Sequence, residues 1–360
     1  MPKINSPRVR LVNALVLLFL TNCLTGVAAS AEFPGIVNSD LSYFELSGHP
    51  GTIFSACFID NQFLASGDHL GNLILWDLKN RRKIKSIKAN NSSAPVRQLQ
   101  HHSGIIYGIG KNGNLVGWDK SDLSEKKVIY LPLETIEFHC LPSEGLVYAL
   151  DRKRKIWQVK WDTSERKPLN HLECRFIAFV PGNHTCLVTV PTNNTQKRRM
   201  AIFDLKKQTV QKELAIEVQS NAHVEVAIDS TQLAFATGLP GPDPIQVFQF
   251  KDGANDLVVS PHDSTTALTL SNDGRFLACS GQFARTQQKF DGQRVYSSHS
   301  LWKLSSSNRL RLNYVEGTEA SFTRKQPNGW GYVCEFSPND SMLVLGGMDG
   351  KLHCFTIKGK

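Results

Sequence analysis

The chain is short of almost everything that names a chemistry. None of its 8 cysteines falls in a Cys-x-x-Cys pair, so the usual zinc and dithiol signatures are missing. There is no His-Glu-x-x-His, no Gly-x-Ser-x-Gly and no Gly-x-x-x-x-Gly-Lys-Ser/Thr, the signatures of zinc proteases, nucleophile-elbow hydrolases and phosphate-cradling loops. His101 and His102 are adjacent, and neighbours on a strand point to opposite faces, so they do not read as a ligand pair. Methionine is scarce, 4 in 360 residues, and no long stretch carries apolar residues at helical spacing. Both features lean away from helix bundles. The 41% hydrophobic and 20% charged composition is that of a folded chain with a sizeable core, and its aromatics favour strands.

The N-terminus reads as a secretory leader over residues 1–31. Lys3, Arg8 and Arg10 precede a short apolar run, Leu11 to Leu20, and Ala29-Ser30-Ala31 fits the small-residue cleavage pattern. The run is shorter than the roughly 20 residues a membrane span needs. The expected destination is therefore outside the cytoplasm, secreted or in a periplasm or cell envelope. An uncleaved anchor is the alternative, and lipidation at Cys23 a weaker one, because Asn22 is wrong for that signal. Cleavage removes three basic residues and no acidic one, taking the net charge from +9 to +6. That balance favours acidic partners or surfaces. Seven cysteines would remain, an odd number set mostly in strand-like runs (Cys57, Cys279, Cys334), and they read as small buried apolar residues rather than a disulfide framework.

Internal repetition organises the rest. Thr269–Gly281 (TLSNDGRFLACSG) and Glu335–Gly347 (EFSPNDSMLVLGG) share a strand, a Ser-x-Asx turn and a second strand ending in small residues. A third strand comes next: Gly71-Asn-Leu-Ile-Leu-Trp76-Asp77 and Gly113-Asn-Leu-Val-Gly-Trp118-Asp119 are near copies, and Gly350-Lys-Leu-His-Cys-Phe355 repeats them. Weaker copies end at Val159, Phe203, Phe248 and Trp302. The spacing of these landmarks is roughly 40–45 residues, with insertions.

With Gly48-His49 ahead of Trp76-Asp77, the pattern resembles the WD40-repeat family over about residues 41–358. That resemblance implies an all-β fold, a seven-bladed β-propeller over residues 32–360. The strand-like Asp40–Leu46 would close the last blade by supplying its fourth strand. It also implies that His49, Ser66 and Trp76 form a structural hydrogen-bond set, with Leu70 where an Asp is expected and Asp68 nearby. A Ser-His-Asp hydrolase triad is the other reading of those residues.

Function in such a ring belongs to its loops. In the family's arrangement the loops joining strands d to a and b to c share one face. There this chain places Arg152, Lys153, Arg154 and Lys155, then Lys197, Arg198 and Arg199, then Arg285, Lys289 and Arg294 in an insertion over 282–298, then Arg324 and Lys325 in a connection over 315–329. Against them stand Asp151, Asp291, Glu316 and Glu319, for a local sum of +8, and Trp330 and several other aromatics lie alongside. Arg with aromatics is the composition of binding hot spots. The opposite face is also basic, so a solvated surface is the competing reading. The expected role is a non-catalytic scaffold binding a protein partner or an anionic polymer, with lipid headgroups a further possibility and nucleic acid not expected. No cofactor is expected. The rival is a propeller hydrolase or lactonase with a site at the central channel, which needs His, Asp or Glu converging from several blades, and the loops are poor in these.

Overall fold

A computed structural model describes residues 41–89, 94–110, 113–169, 175–180, 184–219, 224–228, 232–237, 245–249, 255–258, 264–286, 293–303, 310–320 and 331–357. The expected leader, Lys289, Asp291, Arg324, Lys325 and Trp330 lie outside the described residues.

The first strand, β1 (Leu41–Ser47), pairs with none of the strands next to it in sequence. Sheet 1 is β2 (Ile53–Phe58), β3 (Phe63–Asp68), β4 (Asn72–Asp77) and β5 (Arg82–Lys88). Sheet 2 is β6 (Leu99–His102), β7 (Ile105–Ile109), β8 (Leu115–Asp119) and β9 (Glu125–Ile129). Sheet 3 is β10 (Thr135–Leu141), β11 (Leu146–Asp151), β12 (Ile156–Lys160) and β13 (Arg166–Pro168). Sheet 4 is β14 (Arg175–Phe179), β15 (Thr185–Pro191), β16 (Lys197–Asp204) and β17 (Thr209–Gln219). Sheet 5 is β18 (Val224–Ile228), β19 (Gln232–Thr237), β20 (Ile245–Gln249) and β21 (Asn255–Val258). Sheet 6 is β22 (Ser264–Leu270), β23 (Phe276–Thr286), β24 (Gln293–Lys303) and β25 (Leu310–Ala320). Sheet 7 is β26 (Gly331–Phe336), β27 (Met342–Gly347) and β28 (Lys351–Ile357), completed by β1. Sheets 1 to 4 and 7 are described largely side chain by side chain, whereas sheets 5 and 6 are described mainly as backbone.

This is an all-β propeller, with a short 3-10 turn at Pro142–Glu144. The strand sequences explain the layering. The second and third strands of sheet 1, FLASGD and NLILWD, are almost wholly buried because both their faces meet a neighbouring sheet. The fourth, RKIKSIK, is exposed and carries lysine along an open edge, which blocks edge-to-edge pairing. Buried apolar side chains gather between sheets. Leu46, Ile53 and Trp76 pack with Val333, Val344 and Leu352 across sheets 7 and 1, and Ala65 and Leu73 pack with Leu99 and Trp118 across sheets 1 and 2. Five further clusters do the same between each successive pair, up to Phe276 with Phe336 and Phe355 across sheets 6 and 7. The six cysteines among the described residues are all free and buried, as small apolar residues would be.

The repeat landmarks fall in register. Trp76, Trp118, Val159, Phe203, Phe248 and Trp302 are each the penultimate residue of a third strand, and Phe355 is the third-last residue of β28. The turns before β4, β8 and β28 place Gly71, Gly113 and Gly350 at φ of 83°, 73° and 69°, a region open to glycine. In sheet 2, Gly108 stands where sheet 1 has Ser66, and a Cβ there would lie 2.9 Å from Leu99 Cδ2 and 3.2 Å from the Trp118 ring.

β1 pairs antiparallel with β28 from Leu41↔Ile357 to Ser47↔Lys351, so the expected closing strand is in place. Side chains reinforce it: Lys351 Nζ donates to Glu45 Oε2 at 2.7 Å, Tyr43 Oη donates to Glu45 Oε1 at 2.7 Å, and Tyr43 Oη lies 2.8 Å from His353 Nδ1. The Lys351 hydrogen bond, with that of Tyr43, holds the Glu45 carboxyl below its ordinary range.

Two expectations are corrected. The segment 282–298 is not a loop: β23 and β24 run through it as an extended hairpin, pairing Phe283↔Tyr296 and Arg285↔Arg294, and only 287–292 separate them. Likewise 315–320 belong to β25, which pairs with β24. These stretches are rich in β-branched and aromatic residues, so each strand finds a partner and the ladder continues.

Trp76 is 1% exposed, and its ring fills the contact between sheets 7 and 1. Trp76→Ala is expected to cost about 3–5 kcal/mol in denaturant unfolding. An unchanged midpoint would show that this contact does not carry the closure.

Candidate functional site

Three places in the ring gather chemistry-bearing side chains. The first is a decoy. His49 Nδ1 lies 3.1 Å from Asp68 Oδ2, and His49 Nε2 lies 2.7 Å from Ser66 Oγ. This is the connectivity of a nucleophilic triad. Ser66 and Asp68 are nonetheless 0% exposed, and Ser66 Oγ also accepts the Trp76 Nε1–H at 2.7 Å. A substrate has no access. Asp68 further accepts Leu70 N (3.0 Å), Asn72 N (2.8 Å) and Asn72 Nδ2 (2.7 Å). Burial opposes its ionisation, but the bonds from His49 and Asn72 outweigh it and hold the carboxyl below its ordinary range. The set is therefore complete without an Asp at position 70. Asp68 ends β3 and reaches across the turn, an Asx-type arrangement that spares Leu70 the role.

The second place is the end of the sheets where second-to-third-strand turns and sheet-to-sheet connections emerge. Arg152, Lys153, Arg154 and Lys155 form one such turn, between β11 and β12, and all four are exposed. Arg154 takes a left-handed φ of 63°, and Asp151 ties the turn by accepting Lys155 N at 2.9 Å and Trp157 Nε1 at 3.0 Å. Lys155 Nζ sits 4.8 Å from the Trp157 ring centroid. None of the four makes an ion pair among the described residues. Lys197, Arg198 and Arg199 differ: they open β16 rather than a loop, and their charge is largely answered. Arg199 pairs with Glu213 (2.9 Å) and Glu217 (3.7 Å), Lys197 with Glu217 (3.2 Å), and Arg198 bonds Thr189 Oγ1 and O. Glu213 and Glu217 come from β17, outside the loops over which the charge was summed. Arg285 and Arg294 occupy opposed positions near the tip of the β23–β24 hairpin.

The third place is the channel of the rival reading, although the residues that line it are not those of the loops. A cavity of about 440 Å³ lies along the innermost strands of sheets 1, 2, 3, 4 and 7. His101, His102, Glu137, His139 and Glu335 all line it, so histidines and carboxylates do converge from three sheets, through inner strands rather than loops. Both His101 and His102 border it, contrary to the alternation argument, because the innermost strand presents its edge to the channel and not one face. At the rim, Phe54 and Tyr332 meet edge to face with centroids 4.6 Å apart, and Arg97 lies over the Phe54 ring at 5.9 Å. His69 packs behind Phe54 and against Gly51, where a Cβ would collide with the His69 ring.

Several lining groups are already engaged. The Gln98 amide accepts Phe138 N at 2.8 Å and donates to Phe138 O at 3.0 Å, while Gln100 accepts Cys140 N at 3.0 Å and donates to the same carbonyl at 3.0 Å. Two side chains from sheet 2 thereby satisfy the open backbone edge of β10. His101 Nε2 accepts Gly104 N at 3.2 Å, and His139 stacks on Phe179. Burial lowers the affinity of His101 and His102 for protons. Glu335 is the exception. It is half-buried on β26, and burial pushes its carboxyl up to about 7. Among the described residues, no group of three or more His, Cys, Asp or Glu is placed to hold a metal ion, and no helix is long and apolar enough to cross a membrane.

The sign of the Glu335 effect comes from linkage. A carboxyl raised from 4.5 to about 7 on folding stabilises the fold below its unfolded value, and that contribution is lost as pH rises through about 7. Glu335→Gln is therefore expected to match the native chain in melting temperature near pH 4 and to exceed it near pH 8. Equal melting at both would mean that the carboxyl is solvated in the folded state.

A family model of the WD40 repeat, described as WD domain, G-beta repeat, matches residues 41–77. That span runs from β1 through β4 and holds the buried His49–Ser66–Asp68–Trp76 set. No curated protein matches the chain.

Proposed function

From the premise that the chain is a WD40-repeat β-propeller, we propose that it is an exported, non-catalytic scaffold that holds an acidic protein or anionic polymer against one face of its ring. We count that ring as seven-bladed, one blade for each sheet. WD40 propellers generally bind protein partners, and the family is generally non-catalytic. The observation that carries the reading is the Arg152–Lys155 turn: four consecutive exposed cations, pinned by Asp151 and without an ion pair among the described residues. Fixed, unanswered charge on a rigid ring steers an oppositely charged partner and sets its register. Lys197 and Arg199, already bridged to Glu213 and Glu217, have less to offer. Export rests on the leader-like residues 1–31 and is part of the proposal.

A hydrolytic site in the channel is the second reading, favoured by the convergence of His102, Glu137 and Glu335 on one cavity. Against it, His101 and His139 are already engaged with the propeller itself.

The test is capture by the tagged full chain from its native envelope fraction, washed at low and high salt, with bound proteins and polysaccharide assayed. Four exposed charges at roughly 0.2–1 kcal/mol each sum to about 1–4 kcal/mol, so a tenfold change in Kd lies toward the low end of what they can supply. The variant Arg152→Gln, Lys153→Gln, Arg154→Asn, Lys155→Gln is expected to bind about tenfold more weakly with its melting temperature nearly unchanged; Asn is chosen at 154 because it tolerates the left-handed turn. Neutralising Lys197 and Arg199 is expected to do less. A partner retained equally by the quadruple variant, or a salt-insensitive one, removes the basic face from the account. Turnover of an ester or lactone that Glu335→Gln abolishes would favour the channel reading instead.

A further inference from the structure

Glu335 differs from the buried aspartates of the molecule. Asp68, Asp151 and Asp204 each sit at a strand end and accept backbone N–H groups of the adjoining turn. Glu335 sits in mid-strand on β26, which pairs with β27 along one edge only, and is therefore away from the turn N–H groups that serve the aspartates. Among the described residues no cation and no hydrogen-bond donor reaches its carboxyl. Its position is set by alternation. Val333 packs into the core shared with sheet 1, and Glu335, two residues on, shares that face. The groups that sense its charge are the thiols of Cys57 on β2 and of Cys334 beside it. β2 and β27 contribute no basic residue, while β22, β23 and β24 belong to sheet 6, on the other side of β26. A partly buried carboxylate is ordinarily paired, because leaving it unpaired costs more than the pairing returns. The open side from which a counter-charge can reach Glu335 is the channel it lines.

The approach to Glu335 restricts what can supply it. Tyr332 precedes it by three residues on the same strand, about 10 Å along the channel wall, and stands against Phe54 at the rim. Aromatic faces suit an alkyl stem and a soft cation. Arg97, over Phe54, sets a like charge at that rim. A bare inorganic cation must shed its hydration shell to use the aromatic pair and has no stem to bury there, whereas a cation on a flexible stem can pass the rim and bury its stem.

We infer that the channel binds an alkylammonium or alkylguanidinium group, with Glu335 as its counter-charge and the Phe54–Tyr332 pair holding its stem. The site is independent of the basic loops and does not rest on their role. The group can belong to a lysine or arginine side chain of a docked protein or to a free small amine.

The experiment is calorimetric titration of the full chain at about pH 8 and constant ionic strength, where Glu335 is ionised. The probes are n-butylammonium and n-butylguanidinium, with n-butanol and butyrate as the neutral and anionic counterparts and sodium as the bare cation. The two organic cations are expected to bind at least about tenfold more tightly than n-butanol, butyrate or sodium. Glu335→Gln is expected to abolish that preference while unfolding cooperatively, and Glu335→Asp to restore part of it. Nα-acetyl-lysine methylamide separates the sources: binding at least as tight as n-butylammonium assigns the site to a protein side chain, and weaker binding assigns it to a free amine. Equal affinity for cationic and neutral probes, or a preference that survives in Glu335→Gln, overturns the inference. So does the absence of any heat at tens of millimolar. Failure here leaves the Arg152–Lys155 capture test untouched, because that test reads a different surface.

Discussion

The pairing of β1 with β28 is the constraint on which the rest of the ring depends. It joins residues 41–47 to residues 351–357, so nearly the whole described chain lies inside the loop it closes. Without it, sheet 7 would have three strands and an open edge, and the cluster of Leu46, Ile53, Trp76, Val333 and Val344 would lose part of its lining. Every other inter-sheet core is built from consecutive sheets and needs only local chain economy. This one must be found across the full sequence, which makes it the entropically expensive step. The Glu45–Lys351 pair and the Tyr43–His353 contact sit on this seam.

Closure then dictates where polar chemistry can survive. Strands in the middle of each sheet are covered on both faces, so their polar residues are retained only in satisfied networks. The His49–Ser66–Asp68–Trp76 set is one, and its burial explains how triad-like connectivity can be inert. The outermost strands face solvent and read as RKIKSIK or EKKVI. The innermost strands have one backbone edge facing the channel, and Gln98 and Gln100 answer it for β10. Functional groups without structural employment are thus left in two places, the turns at the sheet ends and the wall of the channel.

Much of this was legible in the sequence, and the reasons differ by feature. Third-strand ends were found because an aromatic or β-branched residue must fill the same inter-sheet slot each time, and that demand writes a period. The closing strand was legible because DLSYFEL precedes the first complete repeat with no partner of its own. Asp68 was noticed but not assigned, since the turn it caps decides which residue reaches His49, and turn geometry is weakly encoded. The hairpin over 282–298 was read as a loop because charge and aromatics interleave there, although the alternation was also that of a strand. Of the channel residues the sequence singles out only His101 and His102, and alternation argues against them as a pair. Glu137 in TIEFHCL and Glu335 in GYVCEF are polar residues inside apolar runs, a visible signal, but nothing local says that residues 200 positions apart share one cavity.

The two candidate surfaces have opposite electrostatic character, and that contrast constrains the partner. The Arg152–Lys155 turn offers exposed cations that act at a distance and weaken with salt. Glu335 offers a recessed anion that acts only on a group already inside the channel, in a medium where screening is weak. An acidic partner attracted by the first would be tested by the second only if it also carries a projecting basic side chain. A basic partner could satisfy the channel but would be repelled by the turn and by Arg97. A partner that satisfies both must be acidic in its body and basic at one protruding point, and such a requirement rejects most charged surfaces while leaving each individual contact modest. Discrimination of that kind comes from placing unlike demands on one rigid frame, which is what a ring closed by its own first strand provides.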